Sequence, residues 1–307
     1  MSELIVTESL AKFFGDIPAL RDLDLRIPKG ISGFIGPNGA GKTTTINILL
    51  GLLKPDQGKA RVFGFDSWHE SFRIRQKIGV LHERPSYPGA FTGQRYLEHV
   101  AAIYCISQPH RKVKEILKIL GLSEARERAI KTYSAGMIQR LGLAQALVGE
   151  PELAILDEPT ANLDPLGRIE FLEKIKELHQ KQGTDFFVSS HILPELERIC
   201  DWVSIVNDGI VVAQGRTEDL VAKYSAAIFK IEASDNDLLA SQLKETGLVE
   251  KAWTEAGTLY CKVRNAKDLY KGLPKLLTEL KLELRSFQPM TNSLEEIFKS
   301  VIGRDKE

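Results

Sequence analysis

Glycines, a lysine and a threonine follow a fixed spacing near the N-terminus. The run from Gly36 to Thr43 reads G-P-N-G-A-G-K-T, which fits the pattern G-x-x-x-x-G-K-[ST]. Glycines let such a backbone curl until its N–H groups point at phosphate oxygens, and a following helix adds its positive N-terminal end. We expect Lys42 to reach the outer phosphates of a nucleotide and the Thr43 hydroxyl to hold magnesium. The candidate nucleotide-binding residues here are Gly36, Pro37, Asn38, Gly39, Ala40, Gly41, Lys42, Thr43 and Thr44.

Two adjacent carboxylates, Asp157 and Glu158, follow the apolar run Leu153–Leu156. Such a run is typical of a parallel strand that is buried on both faces, and α/β sheets bind ligands beyond the carboxyl ends of their strands. We expect Asp157 to hold magnesium, mainly through water, and Glu158 to polarise the attacking water as general base. Kinases, GTPases and ATPases all use a phosphate loop, so the loop alone does not distinguish them. The pair Asp157 and Glu158 is the feature that indicates hydrolysis, and it implies Mg²⁺ as the cofactor.

The elements that must position these residues alternate between strand and helix. Ile31–Ile35 is expected to form a strand that leads into the glycine loop. Thr44–Leu53 follows with apolar residues at helical spacing, and Pro55 stands just beyond as a stop signal. Phe186–Val188 and Trp202–Val206 are expected to be further buried strands. This alternation predicts an α/β fold.

Three other regions differ from this core. Leu4–Ile27 alternates apolar and polar residues, which predicts short antiparallel strands. The region from Pro85 carries helical apolar stripes. Beyond Tyr224 the composition shifts, and strands and helices follow in an order that predicts a small α+β domain of ferredoxin-like type, ending in a helix at Ser293–Val301. The predicted bounds are 1–224 for the nucleotide domain, about 85–147 for its helical subdomain and 225–307 for the C-terminal domain.

The overall composition is that of an ordinary globular protein. Lys plus Arg total 41 and Asp plus Glu total 41, so the formal net charge is zero, which argues against a nucleic-acid partner. The three cysteines have no metal-binding spacing. The N-terminus lacks the pattern of a signal peptide, and no apolar stretch approaches the length of about 20 residues that spans a bilayer. We expect any connection to a membrane to run through a partner.

Between the glycine loop and Asp157, residues 133–137 read Y-S-A-G-M. This segment resembles the signature motif of the ATP-binding cassette (ABC) family. The common form of that motif has a glycine at the place of Ala135 and a glutamine at the place of Met137. Ser134 and Gly136, which meet the nucleotide in the family, are retained. On its own, the S-x-G pattern would be equally typical of a helix cap.

The resemblance extends to three further positions. Residues 161–164 read A-N-L-D and resemble the family's loop that crosses to the partner subunit, which implies a nucleotide contact for Asp164. His191 follows a buried strand and matches the family's switch histidine. Phe14 corresponds to the aromatic residue that stacks on adenine, and a core aromatic in a strand is the alternative. The catalytic residues that the resemblance implies are Lys42, Glu158 and His191.

One position departs from the family pattern. Residues 78–83 read I-G-V-L-H-E, which places Glu83 where the family most often has glutamine. A carboxylate can ligate magnesium but cannot donate a hydrogen bond, and it repels phosphate unless a cation lies between them. His82 takes this position if the register differs by one residue. The metal ligands expected from the sequence are therefore Thr43, Asp157 and Glu83.

The resemblance covers about residues 1 to 224 and implies a P-loop ABC-type ATPase core with antiparallel β and helical subdomains. It implies an ATP-hydrolysing subunit that dimerises, as a homodimer or a heterodimer, over two ATP molecules and drives separate transmembrane permease subunits. Such a protein would be cytoplasmic and peripheral on the inner face of the cell membrane. The C-terminal region, which closes with S-L-E-E-I-F at residues 293–298, resembles the small accessory domain found after cassettes of the ABC-2 exporter type. The alternatives are a soluble cassette ATPase acting on ribosomes or DNA, and a small-molecule kinase.

Overall fold

The chain divides into two compact units, residues 1–217 and 218–307. The predicted division between residues 224 and 225 lies at the other end of the helix Thr217–Tyr224. The predicted terminal helix Ser293–Val301, with the S-L-E-E-I-F segment that it contains, lies outside the described residues. The computed structural model describes residues 3–224, 227–255, 257–263 and 266–289.

The first unit contains two sheets and the helices that pack on them. Its strands are β1 (Glu3–Phe14), β2 (Ile17–Leu23), β3 (Arg26–Pro28), β4 (Ile31–Ile35), β5 (Gln57–Val62), β6 (Phe65–Asp66), β7 (Ile78–Leu81), β8 (Leu153–Leu156), β9 (Asp185–Ser190), β10 (Trp202–Asn207) and β11 (Ile210–Arg216). Its helices are α1 (Lys42–Leu49), α2 (Ser71–Arg75), α3 (Gly93–Ile103), α4 (Pro109–Ile119), α5 (Ala135–Val148), α6 (Pro165–Gln182) and α7 (Leu193–Glu197), followed by α8 (Thr217–Tyr224) at the junction.

The larger sheet has the strand order β11-β10-β4-β9-β8-β7. Its neighbouring strands run parallel except at one edge, where β11 pairs antiparallel with β10. Phe34, Phe186 and Phe187 in the central strands are completely buried, as expected for strands covered on both faces. The predicted α/β core is therefore confirmed. The carboxyl ends of β4, β8 and β9 meet at one edge of this sheet, where the glycine loop, Asp157 and His191 follow.

The smaller sheet is antiparallel and holds the N-terminal strands. β1 pairs antiparallel with β2, β3 and β5, and β6 extends the sheet from β5. The predicted antiparallel strands of Leu4–Ile27 are therefore confirmed. Phe14, the last residue of β1, lies at a corner of this sheet with about half of its surface exposed (52%).

The helix after the glycine loop begins earlier and ends earlier than the predicted Thr44–Leu53. α1 starts at Lys42 because Gly41 adopts a left-handed conformation (φ 97°) at its N-cap position. It ends before Gly51, whose φ of 66° is incompatible with a continued right-handed helix. Lys42 therefore occupies the first turn of α1, where backbone N–H groups have no partner inside the helix.

Helices fill most of the region 85–147, and one of them lies unusually close to the larger sheet. A Cβ atom placed on Gly79 of β7 would lie 1.7 Å from the carbonyl oxygen of Ala146 in α5, and one placed on Gly142 would lie 2.3 Å from Leu81 Cδ1. No side chain fits at such distances, so β7 and α5 require glycine at both contacts. The two elements pack almost backbone to backbone.

Beyond α8, the described residues of the second unit form a four-stranded antiparallel sheet with two helices. The buried faces form one cluster that includes Phe229, Ile231, Leu259 and Leu273. The element order is β-α-β-β-α-β and the strand order is β13-β14-β12-β15, which is the element order of ferredoxin-like folds. No helix among the described residues of either unit is long and apolar enough to cross a membrane. The elements are β12 (Ala227–Ala233), α9 (Asn236–Glu245), β13 (Lys251–Glu255), β14 (Thr258–Val263), α10 (Ala266–Leu280) and β15 (Leu284–Pro289).

Candidate active site

The glycine loop joins β4 to α1 in a conformation that depends on its glycines. Gly39 and Gly41 have φ angles of 84° and 97°, values that L-residues with a side chain rarely adopt. A Cβ atom on Gly41 would also lie 2.6 Å from Leu20 Cδ2. The start of the loop is tied to the sheet because the Gly36 N–H donates to the Ser190 carbonyl at 3.3 Å. The loop is therefore a fixed cradle rather than a mobile turn.

Lys42 points back over the loop and is almost fully buried, with 6% of its surface exposed. Its Nζ donates hydrogen bonds to the carbonyl oxygens of Gly36 (2.7 Å) and Pro37 (3.2 Å). Nζ also lies 3.0 Å from Glu158 Oε1. The ammonium group is thus held at the mouth of the cradle, where it can contact the outer phosphates of a nucleotide.

Asp157 is held from both sides at the carboxyl end of β8. Thr43 Oγ1 donates to Asp157 Oδ2 at 2.9 Å, and Ser189 Oγ donates to Asp157 Oδ1 at 2.6 Å. Because the Thr43 hydroxyl donates its proton to the carboxylate, its oxygen lone pairs remain available to a cation. Both residues thus present oxygen ligands side by side.

This donor set fits magnesium bound together with a nucleotide. Among the described residues, no group of three or more His, Cys, Asp or Glu side chains could hold a metal ion without other ligands. Magnesium in nucleotide sites is held by one or two protein oxygens together with substrate phosphates and water. Thr43 and Asp157 supply oxygens of that kind, and Glu83 lines the same cleft. The site therefore suits magnesium that arrives with a nucleotide.

Glu158 adopts a left-handed backbone conformation with φ of 46°, which is strained for a residue with a side chain. Its N–H donates to Ser189 Oγ at 2.9 Å. Its Oε2 lies 2.7 Å from His191 Nδ1. Its Oε1 is buried and accepts no well-aligned hydrogen bond from the described residues, although Lys42 Nζ lies at ion-pair distance. This oxygen keeps a lone pair free to accept a proton from water.

Lys42, Thr43, Glu158 and His191 line a cleft of about 330 Å³. Asp157 is buried and does not line this cleft itself, and Thr43 connects it to the cleft. Glu83 faces this cleft, whereas His82 lines a separate cavity beside Tyr87 and Tyr96. The structure therefore favours the register with Glu83, and not His82, beside the phosphate loop. The residues lining the cleft are Asn38, Gly39, Gly41, Lys42, Thr43, Thr44, Glu83, Glu158, Ala161 and His191.

Four residues expected from the resemblance do not line this cleft. Phe14 is exposed at the end of β1. Ser134 is the exposed N-cap of α5, where its Oγ accepts from the Met137 N–H at 3.3 Å, and Gly136 follows in the first turn. Asp164 is the N-cap of α6 and accepts from the Gly167 N–H at 2.7 Å. In a single chain, Ser134 and Asp164 act as helix caps.

The structure adds to the site a residue, Ser189, that the sequence does not predict. Ser189 contacts both Asp157 and Glu158, yet it lies inside the buried strand β9. A serine directly after the apolar run Phe186–Val188, two positions before His191, is the signal that could have identified it.

A second group of side chains supports the loop after Glu158. Thr160 Oγ1 donates to Glu195 Oε2 at 2.6 Å, and Arg168 pairs with Glu195 Oε1 at 3.3 Å. Arg168 Nε also donates to the Leu163 carbonyl at 2.9 Å. The loop that carries Asp164 is thereby tied to the helix that follows His191.

Comparisons with known proteins agree with this site. The sequence profile of the ABC transporter family matches residues 20–161. The chain is 35% identical to "Uncharacterized ABC transporter ATP-binding protein YdbJ" of Bacillus subtilis, over 95% of this chain and 92% of that protein. It is 32% identical to "Daunorubicin/doxorubicin resistance ATP-binding protein DrrA" of Streptomyces peucetius, over 97% of this chain and 92% of that protein.

The fold is also found among solved structures. "Structure of ATP binding subunit of ABC transporter" superimposes with a TM-score of 0.65 and 29% identity, and the match covers 72% of this chain and 93% of that one. Sequence, fold and site thus lead to the same family. The chain belongs to the ABC transporter family as an ATP-binding protein, and hydrolyses ATP to power transport.

Proposed function

We propose that this chain is the energising subunit of an ABC-2 type exporter and that Glu158 is its general base. The observation that carries the proposal is the group formed by Lys42, Glu158 and His191 in one cleft, with Glu158 Oε1 free of well-aligned hydrogen bonds from the described residues. A buried carboxylate beside the phosphate cradle is the chemistry that water attack on a γ-phosphate requires.

Each residue has a distinct role in this proposal. The backbone of the glycine loop and Lys42 hold the phosphates, and Glu158 accepts the proton of the attacking water. His191 fixes the Glu158 carboxylate through the contact of 2.7 Å between Nδ1 and Oε2. Thr43, Asp157 and Glu83 would hold magnesium together with phosphate oxygens, and the bound cation would supply positive charge beside the β- and γ-phosphates. The carboxylate of Glu83, which lines the cleft, is compatible with this role because a bound cation would offset its repulsion of phosphate.

We further propose that two chains face each other and that each completes the site of the other. Ser134 is exposed at the N-terminus of the 14-residue helix α5 and does not line the cleft of its own chain. The backbone N–H groups that follow Ser134 and the positive N-terminal end of α5 form a second phosphate-binding site. Because one chain carries both the glycine loop and the Ser134 turn, two copies suffice to build two complete sites. In such a dimer, Asp164 would lie on the loop that crosses to the opposite chain, and Phe14 would stack on the adenine.

Mixing two inactive variants tests the completion of each site by the opposite chain. Ser134→Asp keeps a good N-cap residue but places negative charge against the γ-phosphate, and Lys42→Ala removes the ammonium group. Each variant alone is expected to be inactive. In a mixed dimer one site has an intact Lys42 and an intact Ser134 from the opposite chain, so random mixing should restore about a quarter of the wild-type turnover.

The readout of this mixing experiment is phosphate release from equimolar mixtures, compared with each variant alone at the same total concentration. Absence of recovery would contradict the proposal, because a site completed by its own Ser134 cannot be rescued by mixing. Mixing wild-type protein with Lys42→Ala serves as the control for subunit exchange.

The membrane partners are proposed to be separate permease subunits that hold this protein on the inner face of the cell membrane. No helix of the described residues can cross a membrane. Export is the proposed direction because the relative DrrA is named for drug resistance and because a small α+β unit follows the cassette. The alternative of a cassette acting on ribosomes or DNA receives no support from the neutral charge.

Co-purification from native membranes tests this partnership. The full chain is expected to be recovered with a polytopic membrane protein, and removal of residues 85–89 after Glu83 is expected to abolish that recovery while ATP binding is retained. Pro85, Ser86 and Tyr87 of this segment line a cavity together with His82 and Tyr96, and the segment follows Glu83, which lines the nucleotide cleft. Recovery of ribosomes or DNA in place of a membrane protein would favour the alternative function.

A further inference from the structure

Ser189 occupies a position between the two carboxylate residues of the active site. Its side chain is completely buried in β9, which lies next to β8 in the larger sheet. Its hydroxyl donates to Asp157 Oδ1 at 2.6 Å and accepts from the Glu158 N–H at 2.9 Å. A serine hydroxyl has one proton to donate and two lone pairs, so this arrangement uses both of its functions at once.

Each of the two Ser189 hydrogen bonds satisfies a polar group of the residue that it contacts. The Glu158 N–H lies beyond the last residue of β8, where strand hydrogen bonds end, and a buried N–H without a partner is costly. Asp157 needs a second anchor because Thr43 holds only its Oδ2 atom. Ser189 therefore joins a strained backbone turn to the orientation of the neighbouring carboxylate.

Other buried serines of the same sheet show that such contacts are not a general feature of the fold. Ser32 in β4 and Ser204 in β10 are as deeply buried as Ser189, yet their hydroxyl oxygens have no hydrogen-bond partner among the described residues. The sheet thus accepts serine without a bonding partner at those positions, whereas Ser189 is bonded on both sides.

We propose that Ser189 is a positioning residue that sets the orientation of the Asp157 carboxylate toward magnesium and the placement of Glu158 toward the attacking water. This inference rests on the roles proposed above for Asp157 and Glu158. Groups that orient metal ligands through one hydrogen bond change metal affinity or activity by about 10–100-fold when they are removed. Ser189 contacts neither the glycine loop nor Lys42 in the hydrogen bonds of the described residues, so ATP binding without magnesium does not depend on it.

The substitution Ser189→Ala tests the inference with two readouts. In the otherwise unchanged chain, kcat for ATP hydrolysis should fall about 10–100-fold, while KM for ATP should stay within about threefold because the phosphate cradle is intact. In a Glu158→Gln background, which does not hydrolyse ATP, the magnesium concentration that half-saturates ATP-dependent dimer formation should rise about tenfold or more. Titration with Mg²⁺ followed by size-exclusion chromatography measures this midpoint.

Ser204→Ala is the matched control, because it makes the same change at a buried serine of the same sheet that has no hydrogen-bond partner among the described residues. It should leave kcat and the magnesium midpoint unchanged. Equal midpoints for Ser189→Ala and Ser204→Ala would overturn the inference. If Ser189→Ala does not give folded protein, Ser189→Cys keeps a similar volume with a weaker donor and should give a smaller loss in the same two readouts.

The outcomes separate this inference from the proposed function. Wild-type turnover by Glu158→Gln alone would contradict the assignment of the general base; the comparison of kcat between Ser189→Ala and Ser204→Ala would then still decide the role of Ser189. A different result is loss of turnover in Glu158→Gln while Ser189→Ala keeps the wild-type kcat and magnesium midpoint. This result would contradict the role of Ser189 and leave the proposed function intact.

Discussion

Replacing Glu158 with glutamine is expected to lower ATP turnover by about 10²–10⁴-fold, the usual contribution of a general base. The amide has nearly the same size and can still reach His191, but it cannot take a proton from water. Because the phosphate cradle and Lys42 are unchanged, ATP should still bind and hold two chains together. Phosphate release and size-exclusion chromatography with ATP and magnesium measure the two effects, and we expect a stable ATP-bound dimer with little turnover.

Glu152→Gln is a matched control for this substitution. Glu152 directly precedes β8 at the end opposite Glu158, and its exposed side chain pairs with Lys77 at 2.7 Å on the surface. The same chemical change there removes only a surface ion pair, which contributes little, so turnover should be unaffected. Wild-type turnover by Glu158→Gln would mean that another group activates the water.

Replacing Lys42 with alanine is expected to weaken ATP binding by about 10–100-fold, because hydrogen bonds to a charged group contribute about 1.5–3 kcal/mol each. A second effect acts in the same direction. Glu158 Oε1 loses the cation at 3.0 Å, so an uncompensated carboxylate faces the arriving phosphate. Titration with a fluorescent ATP analogue, with and without magnesium, measures the affinity directly.

Lys54→Ala provides the comparison for this measurement. Lys54 is exposed and follows α1, so it shares the charge of Lys42 but lies outside the phosphate cradle. Its replacement should leave nucleotide affinity unchanged. An unchanged affinity in Lys42→Ala would show that the loop does not bind phosphate in the proposed way.

The parts of the site that the sequence predicts well are those encoded by neighbouring residues. The glycine loop is one continuous segment, and the strand Leu153–Leu156 with its following carboxylates is another. In both cases the residues are neighbours along the chain and therefore also in space, so a local sequence pattern is enough to predict the site. The exact start of α1 was missed because the N-cap role of Gly41 depends on its left-handed conformation, which apolar spacing does not report.

The parts that the sequence does not predict depend on contacts between distant segments. Ser189 meets Asp157 across 32 positions of the chain, and Thr160 meets Glu195 across 35. No spacing rule connects residues on neighbouring strands whose connection contains a whole helix. The choice between His82 and Glu83 has the same origin, because only the packing of the strand end decides which of two adjacent side chains faces the cleft.

Ser134, Gly136, Asp164 and Phe14 show a different limit. Their expected roles come from the family resemblance, and each lies outside the cleft of its own chain. A single chain accounts for Ser134 and Asp164 as helix caps, and only the mixing experiment tests the role expected for Ser134 in the opposite site. For such residues, neither the sequence nor the fold of one chain shows what they contact in a dimer.

The glycine contacts between β7 and α5 have a mechanical consequence. At Gly79 the backbone of β7 meets the backbone of α5, and at Gly142 the Leu81 side chain of β7 fills the place that a Cβ atom would take. Because no space is left at either contact, we expect the strand and the helix to move together as one stiff lever. One part of this unit is β7, which is followed two residues later by Glu83. The other part is α5, a helix about 21 Å long that begins beside Ser134. We therefore expect a shift of Glu83 caused by events in one nucleotide cleft to move the Ser134 end of α5, the surface that we propose to complete the site of the opposite chain.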